Sequence, residues 1–460
     1  MLFSSLVFLF TFLPITLLVY YLVPRKVKNV VLLIASLIFY AWGEPVYIFL
    51  MLISILFNYF CGMDIALKAG RKSQVRSLIF TIVVNLFILG FFKYYGFIVT
   101  NLNAILPFYI PYRKLELPIG ISFYTFQTLS YIIDVYRGNV DVQVNLIDFG
   151  TYVTMFPQLI AGPIVQYADV ERQLRERKES LTKFGYGAWF FVIGLAKKVL
   201  LANTIGSIYE NIAAMDGMSV VTAWLGCLAY TFQIYFDFSG YSDMAVGLGK
   251  MFGFEFMQNF NYPYISTTIQ EFWRRWHITL GRWFREYVYI PLGGNRKGKA
   301  RTIFNLFVVW SLTAVWHGAE GHFLIWGASL LLLLALEKAF LLQFLKKSKI
   351  LSHVYLVLVV PLTWMAFAIA DVGQLGVYYA RMLPFFGVGE TVRQMDFLQY
   401  LKDYGSLFLM GIVFSTPYPT ALYKVFEKKW LGSLAVIVVL GLSLYYMAVS
   451  TNNPFLYFNF

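Results

Sequence analysis

The chain has four histidines, and three of them, His277, His317 and His322, fall in one stretch from Gln270 to His322. Imidazole is the side chain whose ordinary pKa lies nearest neutrality, which suits it to carrying protons in group transfer. The stretch opens with Glu271-Phe272-Trp273-Arg274-Arg275-Trp276-His277. It passes through a glycine-rich basic turn, Pro291–Lys299, and an apolar run, Thr302–Trp316, to His317-Gly318-Ala319-Glu320-Gly321-His322. As a helix that run rises about 22 Å at 1.5 Å per residue, against a hydrocarbon core of roughly 30 Å. Starting from the basic side at Arg301, it delivers His317 short of the far face, at the base of a depression. An ordinary outer turn reached by tilted neighbours is the alternative. Desolvation at that depth favours the neutral base. A neutral imidazole can take the proton of a hydroxyl as it attacks a thioester carbonyl, so His317 is the candidate general base. His277 can hold either the donor thioester or the acceptor hydroxyl. His322 follows His317 by five and lies on another helix face. No H-E-x-x-H pair is present, and Cys61 and Cys227 stand alone in apolar runs, so no metal site is expected. His353, beside Lys346–Lys349, reads as an interfacial residue.

The elements that must position these groups follow from periodicity. On one helix from Ile269 to Tyr287, an apolar stripe forms from Ile269, Phe272, Trp273, Trp276, Leu280, Trp283, Phe284 and Tyr287. Arg274, Arg275, Arg282 and Arg285 lie off it, the pattern of a helix in the membrane interface. From Tyr264 to Arg301 there are eight Lys/Arg and two Glu. Positive-inside topology with lipid contact accounts for such a surface. A dock for an anionic cytosolic donor, such as the phosphates of coenzyme A or an acidic carrier protein, accounts for it too. Trp273 and the four arginines are therefore the candidate donor-binding residues. Upstream, Gln233, Asp237, Ser239 and Tyr241 end an apolar run. Polar groups at membrane depth usually face a cavity, so these four are candidates for its polar lining.

Composition sets the environment. The chain has 460 residues, 59% hydrophobic and only 13% charged, about half the charged share of a soluble domain. Many apolar runs approach the roughly 18 to 20 residues that span a bilayer, long and continuous rather than alternating, so an all-α polytopic membrane protein is expected and a β-barrel is not. Met1–Val23 lacks a basic leader region and a small-residue cleavage site and reads as a retained span. The net charge of +13 collects in loops, at Arg25–Lys28, Lys68–Arg76 and Lys346–Lys349. Their alternation predicts ten to twelve crossings with both termini outside. Leu117–Tyr136 carries many polar residues, and Met155–Pro163 has two prolines and a glycine, which predicts a re-entrant break. Asp169–Lys183 reads as a solvated cytosolic helix. No internal repeat supports a transporter of the inverted-repeat kind. Residues 1–460 read as a single domain, and no soluble basic module points to nucleic acid.

Met155–Tyr167, Tyr235–Asp243, Asn259–Ser266, Glu271–Gly294, Trp310–Gly318 and the aromatic C-terminus Asn453–Phe460 together closely resemble the membrane-bound O-acyltransferase family, in its bacterial alginate O-acetylase-like branch. The resemblance covers essentially the whole chain. It implies a ring of about ten to twelve tilted helices, with re-entrant and interfacial helices, around a central tunnel and funnel. It places the family's principal histidine on His317 and its second functional position on His277. It also implies acetyl-CoA as a donor substrate rather than a bound cofactor, and an exported polysaccharide as acceptor. A separate extracytoplasmic esterase-like partner and residence in a bacterial cytoplasmic membrane are implied as well. Pro291-Leu292-Gly293-Gly294-Asn295 looks more like the alginate-type branch than the D-alanyl-transfer branch. D-alanyl transfer from a carrier protein to teichoic acid, and a non-enzymatic export channel, are the alternatives.

Overall fold

A computed structural model describes residues 1–113, 115–215, 217–384, 393, 395–427, 430–450 and 455–456. All regular structure among them is helical. Among the described residues, seven helices are long and apolar enough to cross a membrane: Arg25–Gly43, Tyr47–Leu67, Arg71–Ile105, Leu181–Ala213, Gly321–Leu345, Lys349–Ala368 and Trp430–Val449. At most half of each spanning window is buried inside the protein. Phe49, Phe87 and Ile437 are among the large apolar side chains left outside, where hydrocarbon covers them without cost. The chain is a multi-pass membrane protein. The first apolar run is helical only from Phe8 to Leu22, shorter than the expected span. Lys428, Lys429 and most of Asn453–Phe460 lie outside the described residues.

The chain divides into two compact units. One comprises Met1–Phe191, Tyr241–Gln258 and Arg282–Tyr287. In it Asn58, on the Tyr47–Leu67 helix, and Asn85, on the Arg71–Ile105 helix, exchange amide hydrogen bonds of 3.0 and 2.8 Å. Each satisfies the other away from water. The polar residues of the Ile121–Arg137 helix are wrapped in protein, and several bond their own backbone. Thr128 donates to the Tyr124 carbonyl at 2.9 Å and Ser130 to that of Gln127 at 2.7 Å. The Met155–Pro163 break is real: the Leu146–Thr154 helix ends, one short turn follows over Phe156–Leu159, and the irregular backbone is buried. A side chain at Gly162 would strike the Gln158 main chain, so the glycine is required by close approach. The charged segment after it is only partly solvated. Tyr167–Glu176 is helical, but Arg177 is 6% exposed and donates to Asn29 Oδ1 at 2.7 Å and Tyr20 Oη at 3.0 Å. It holds this unit together, which corrects the expectation of a purely solvated helix.

The second unit comprises Val192–Gly240, Asn259–Gly281 and Val288–Phe460. Its working elements are α1 (Val220–Met251, shared with the first unit), α2 (Ile269–Arg275), α3 (Ile278–Phe284, also shared), α4 (Lys299–His317), α5 (Gly321–Leu336) and α6 (Lys349–Ala368). The single interfacial helix expected over 269–287 is thus two helices with a break at Trp276–His277. The apolar stripe meets protein rather than lipid: Phe272, Trp276 and Leu280 are buried. Gly293, Gly294 and Gly298 in the basic turn all take positive φ, of 104°, 56° and 87°, conformations that glycine alone adopts freely.

Removing one member of the buried amide pair should leave the other unsatisfied. Asn58→Ala or Asn85→Ala is expected to lower stability in detergent by about 1 kcal/mol. The double variant should lose less than the sum, as read from thermal unfolding curves.

Candidate active site

Within the second unit, a cavity opens among α1, α2, α3, α4, α5 and α6. His277 and His317 both line it, together with Trp273, Trp276, Trp316, Trp326 and Trp364. Aromatic rings make up most of the wall. Trp276 and Trp364 ring centroids lie 4.7 Å apart, and Trp273 stands edge-on to Trp310 at 4.9 Å.

Several local features place the walls. Glu337 is 1% exposed, and its carboxylate accepts the Ile269 N–H at 2.6 Å and the Gln270 N–H at 3.2 Å. Two donors at the start of α2, which helix geometry leaves unpaired, are thereby satisfied inside the protein. The Thr268 hydroxyl caps the same turn, accepting from Glu271 N–H at 3.0 Å. α2 then carries Trp273 into the cavity wall. α4 and α5 cross closely: a Cβ on Gly327 would stand 2.6 Å from that of Ala314. Small residues at such crossings let backbones approach. α4 ends at His317, and a side chain on Gly318 would collide with the Phe323 ring. His317 is half-buried. Its ring stands edge-on to Trp326 and Phe367, each at 5.1 Å, and next to Trp316 at 4.7 Å.

His277 sits in the break between α2 and α3, 3% exposed, with φ +45°. The left-handed region costs a residue with a Cβ about 1 to 2 kcal/mol, so the surroundings must enforce it. Its Nδ1 lies 3.1 Å from Asn259 Oδ1, and its ring stands edge-on to Phe238 at 4.8 Å. Burial pushes its pKa down from 6.5 to about 3, so the imidazole is neutral at physiological pH.

The other sequence-derived candidates scatter. Asp237 lines the cavity. Gln233 and Ser239 are buried on the same helix but do not line it, and Tyr241 belongs to the first unit, stacked on Phe3 at 4.6 Å. Trp273 lines the cavity. Arg275 is held by Glu271 at 3.0 Å, and Arg282 by Asp169 at 2.9 Å and Glu286 at 3.1 Å. Arg274 and Arg285 are exposed. His322 is buried on α5 outside the cavity, against Phe323, with Nδ1 3.9 Å from Glu320.

Residue-level reading missed Lys198. Its ammonium is 2.6 Å from Asp237, with both side chains 3% exposed. Asp237 also accepts the Leu456 N–H at 2.8 Å, and Phe455 and Leu456 close part of the cavity. The available signal was a lysine inside the apolar run Gly185–Ala202, where a charge calls for a partner.

Comparison with known proteins identifies the family. The sequence profile of the membrane-bound O-acyltransferase family matches residues 34–370, through both histidines. The chain belongs to that family. It is 46% identical over 393 residues to the probable alginate O-acetylase of Pseudomonas syringae pv. tomato, covering 84% of this chain and 76% of the relative. It is 32% identical to the peptidoglycan O-acetyltransferase of Helicobacter pylori, covering 100% and 98%. The teichoic acid D-alanyltransferase of Bacillus subtilis is 28% identical over 45% of this chain and 56% of its own. The protein is thus a membrane O-acyltransferase of the alginate O-acetylase-like branch.

Two measurements test the site's construction. Lys198→Met strands a buried carboxylate and should cost about 3 to 5 kcal/mol, whereas the double variant Lys198→Met/Asp237→Leu should recover much of that loss in thermal unfolding. The His277 shift gives a pH dependence. The unfolded chain protonates this side chain below about 6.5, the folded one only near 3, so its contribution to stability is complete above 6.5 and lost as pH falls towards 3. In His277→Asn the decline of unfolding temperature across that window should be shallower than in the parent.

Proposed function

We propose that this acyltransferase moves an acetyl group from cytosolic acetyl-CoA to a hydroxyl on the outer side of a bacterial cytoplasmic membrane. The acceptor is an exported polysaccharide or the serine of an extracytoplasmic esterase-like partner that completes the transfer. The observation that carries the proposal is a single aromatic-walled cavity lined by two histidines from opposite ends of the opening stretch. Relatives named for acetyl transfer align over 84% and 100% of this chain, against 45% for the D-alanyl-transfer relative, which favours acetyl over D-alanyl.

In the proposed reaction, His317 takes the proton of the acceptor hydroxyl as its oxygen attacks the thioester carbonyl. The tetrahedral intermediate collapses with cleavage of the C–S bond, and the departing thiolate recovers the proton from the imidazolium to give coenzyme A. The aromatic walls exclude water, which limits competing thioester hydrolysis. Arg274, exposed where Arg275 is paired with a carboxylate, is the proposed contact for the donor's phosphates. In this proposal the whole chain, 1–460, with both termini outside the cytosol, acts as one catalytic domain that takes acetyl-CoA as substrate and needs no resident cofactor.

His317→Ala should insert and fold, yet reduce coenzyme A release and surface O-acetylation by about 10²- to 10⁴-fold, the usual weight of a general base. Retained acetylation overturns the proposal. An export channel would move polymer without consuming thioester, and a D-alanyl transferase would prefer charged carrier protein when both donors are titrated against the reconstituted protein.

A further inference from the structure

Asn259 grips the break at His277 with both of its oxygens. Its main-chain carbonyl accepts the Ile278 N–H at 2.9 Å. Its side-chain Oδ1 accepts the Thr279 N–H at 3.2 Å and the Thr279 hydroxyl at 2.9 Å, and lies 3.1 Å from His277 Nδ1. Asn259 is 1% exposed, and His277 and Thr279 are each 3% exposed. A main-chain N–H can only donate, so the Thr279 amide fixes which end of the Asn259 amide faces this cluster: it is the oxygen. An amide oxygen has no proton to give, so His277 Nδ1 must supply the one in their bond. A neutral imidazole carries a single proton. Nε2 is therefore bare, and it is buried with no hydrogen-bond partner among the described residues, on a ring that lines the cavity.

We propose that Asn259 is a positioning residue that locks His277 as its Nδ1–H tautomer, presenting Nε2 to the cavity solely as a hydrogen-bond acceptor. The chemical consequence rests on the acyl-transfer function proposed above. A bare Nε2 can accept a hydrogen bond from an O–H of the acceptor beside the hydroxyl whose proton His317 takes. It cannot donate to a thioester carbonyl or to the oxyanion that forms from it. His277 thus belongs to the nucleophile's side of the reaction, and of the two roles open to it from sequence, holding the hydroxyl is the one selected. The neutral amide also matters. A carboxylate at 259 would stabilise the imidazolium and raise the pKa of the histidine, whereas an amide fixes orientation without adding that charge. Among the residues that line the cavity with His277, the ionisable groups are Asp237 on α1, paired with Lys198, and His317 on α4.

The direct test is ¹⁵N NMR of the full-length protein labelled at histidine in nanodiscs, with only four imidazoles to assign and His277→Asn identifying the relevant pair. At pH 7.5 the expected His277 pattern is a protonated Nδ1 and a bare Nε2. A protonated Nε2 overturns the proposal. In Asn259→Ala the two tautomers should mix, and coenzyme A release should fall on the order of 10²-fold, as for a misplaced catalytic group. Asn259→Asp should restore the Nδ1–H tautomer and part of the rate, with the acid limb of the pH–rate profile moved to higher pH. An unmoved acid limb with a full loss of rate would mean that Asn259 merely packs, and would also overturn the proposal. If Asn259→Ala does not fold, the parent spectrum and Asn259→Asp still decide. A parent protein that releases no coenzyme A from acetyl-CoA would sink the acyl-transfer function while leaving the tautomer measurement intact.

Discussion

Backbone amides released where a helix breaks inside an apolar surrounding have no water to bind. That constraint shapes everything around the cavity. The breaks at the start of α2, after His277 and at Leu456 are met by oxygens brought from elsewhere in the chain. Glu337 takes the first two amides of α2, Asn259 takes those of Ile278 and Thr279, and Asp237 takes that of Leu456. Irregular backbone is what allows His277 and the Phe455–Leu456 segment to enter the cavity at all. A continuous helix would satisfy its own amides but would carry the imidazole round with its period. The acceptors are thus the condition for having a site, and two of the three are carboxylates buried almost completely.

The aromatic wall follows from a second constraint. A cavity in a membrane protein must stay open without the support of bulk water, and rigid rings with few rotamers do this better than flexible side chains. Trp273, Trp276, Trp326 and Trp364 brace one another at ring separations of 4.7 to 6.2 Å. They also leave the two imidazoles among neighbours that are poor competitors for a proton.

Much of this was legible in the sequence. Hydropathy and charge placement gave the membrane setting, and the turn after Thr302–Trp316 marked His317. The pairing of Arg275 with Glu271 and of Arg282 with Glu286 was also readable, since both pairs sit four residues apart on a helix. What was not legible came from contacts between distant segments. The stripe from Ile269 to Tyr287 has no proline, and its only glycine, Gly281, lies past the break, so periodicity alone continues the helix through His277. The break depends on Asn259, eighteen residues earlier in the chain. Arg177 looked like one charge in a solvated run, yet its partners Tyr20 and Asn29 lie near the start of the chain.

The left-handed backbone at His277 also bears on which substitutions the position can accept. Asparagine, aspartate and glycine enter that region at little cost, whereas valine, isoleucine and threonine do so only with severe strain. A random library at this codon would therefore sort first by backbone tolerance and only then by chemistry. Survivors lacking an imidazole would be enriched in the three permissive types, and among those, inactivity could be assigned to the missing ring rather than to a collapsed fold.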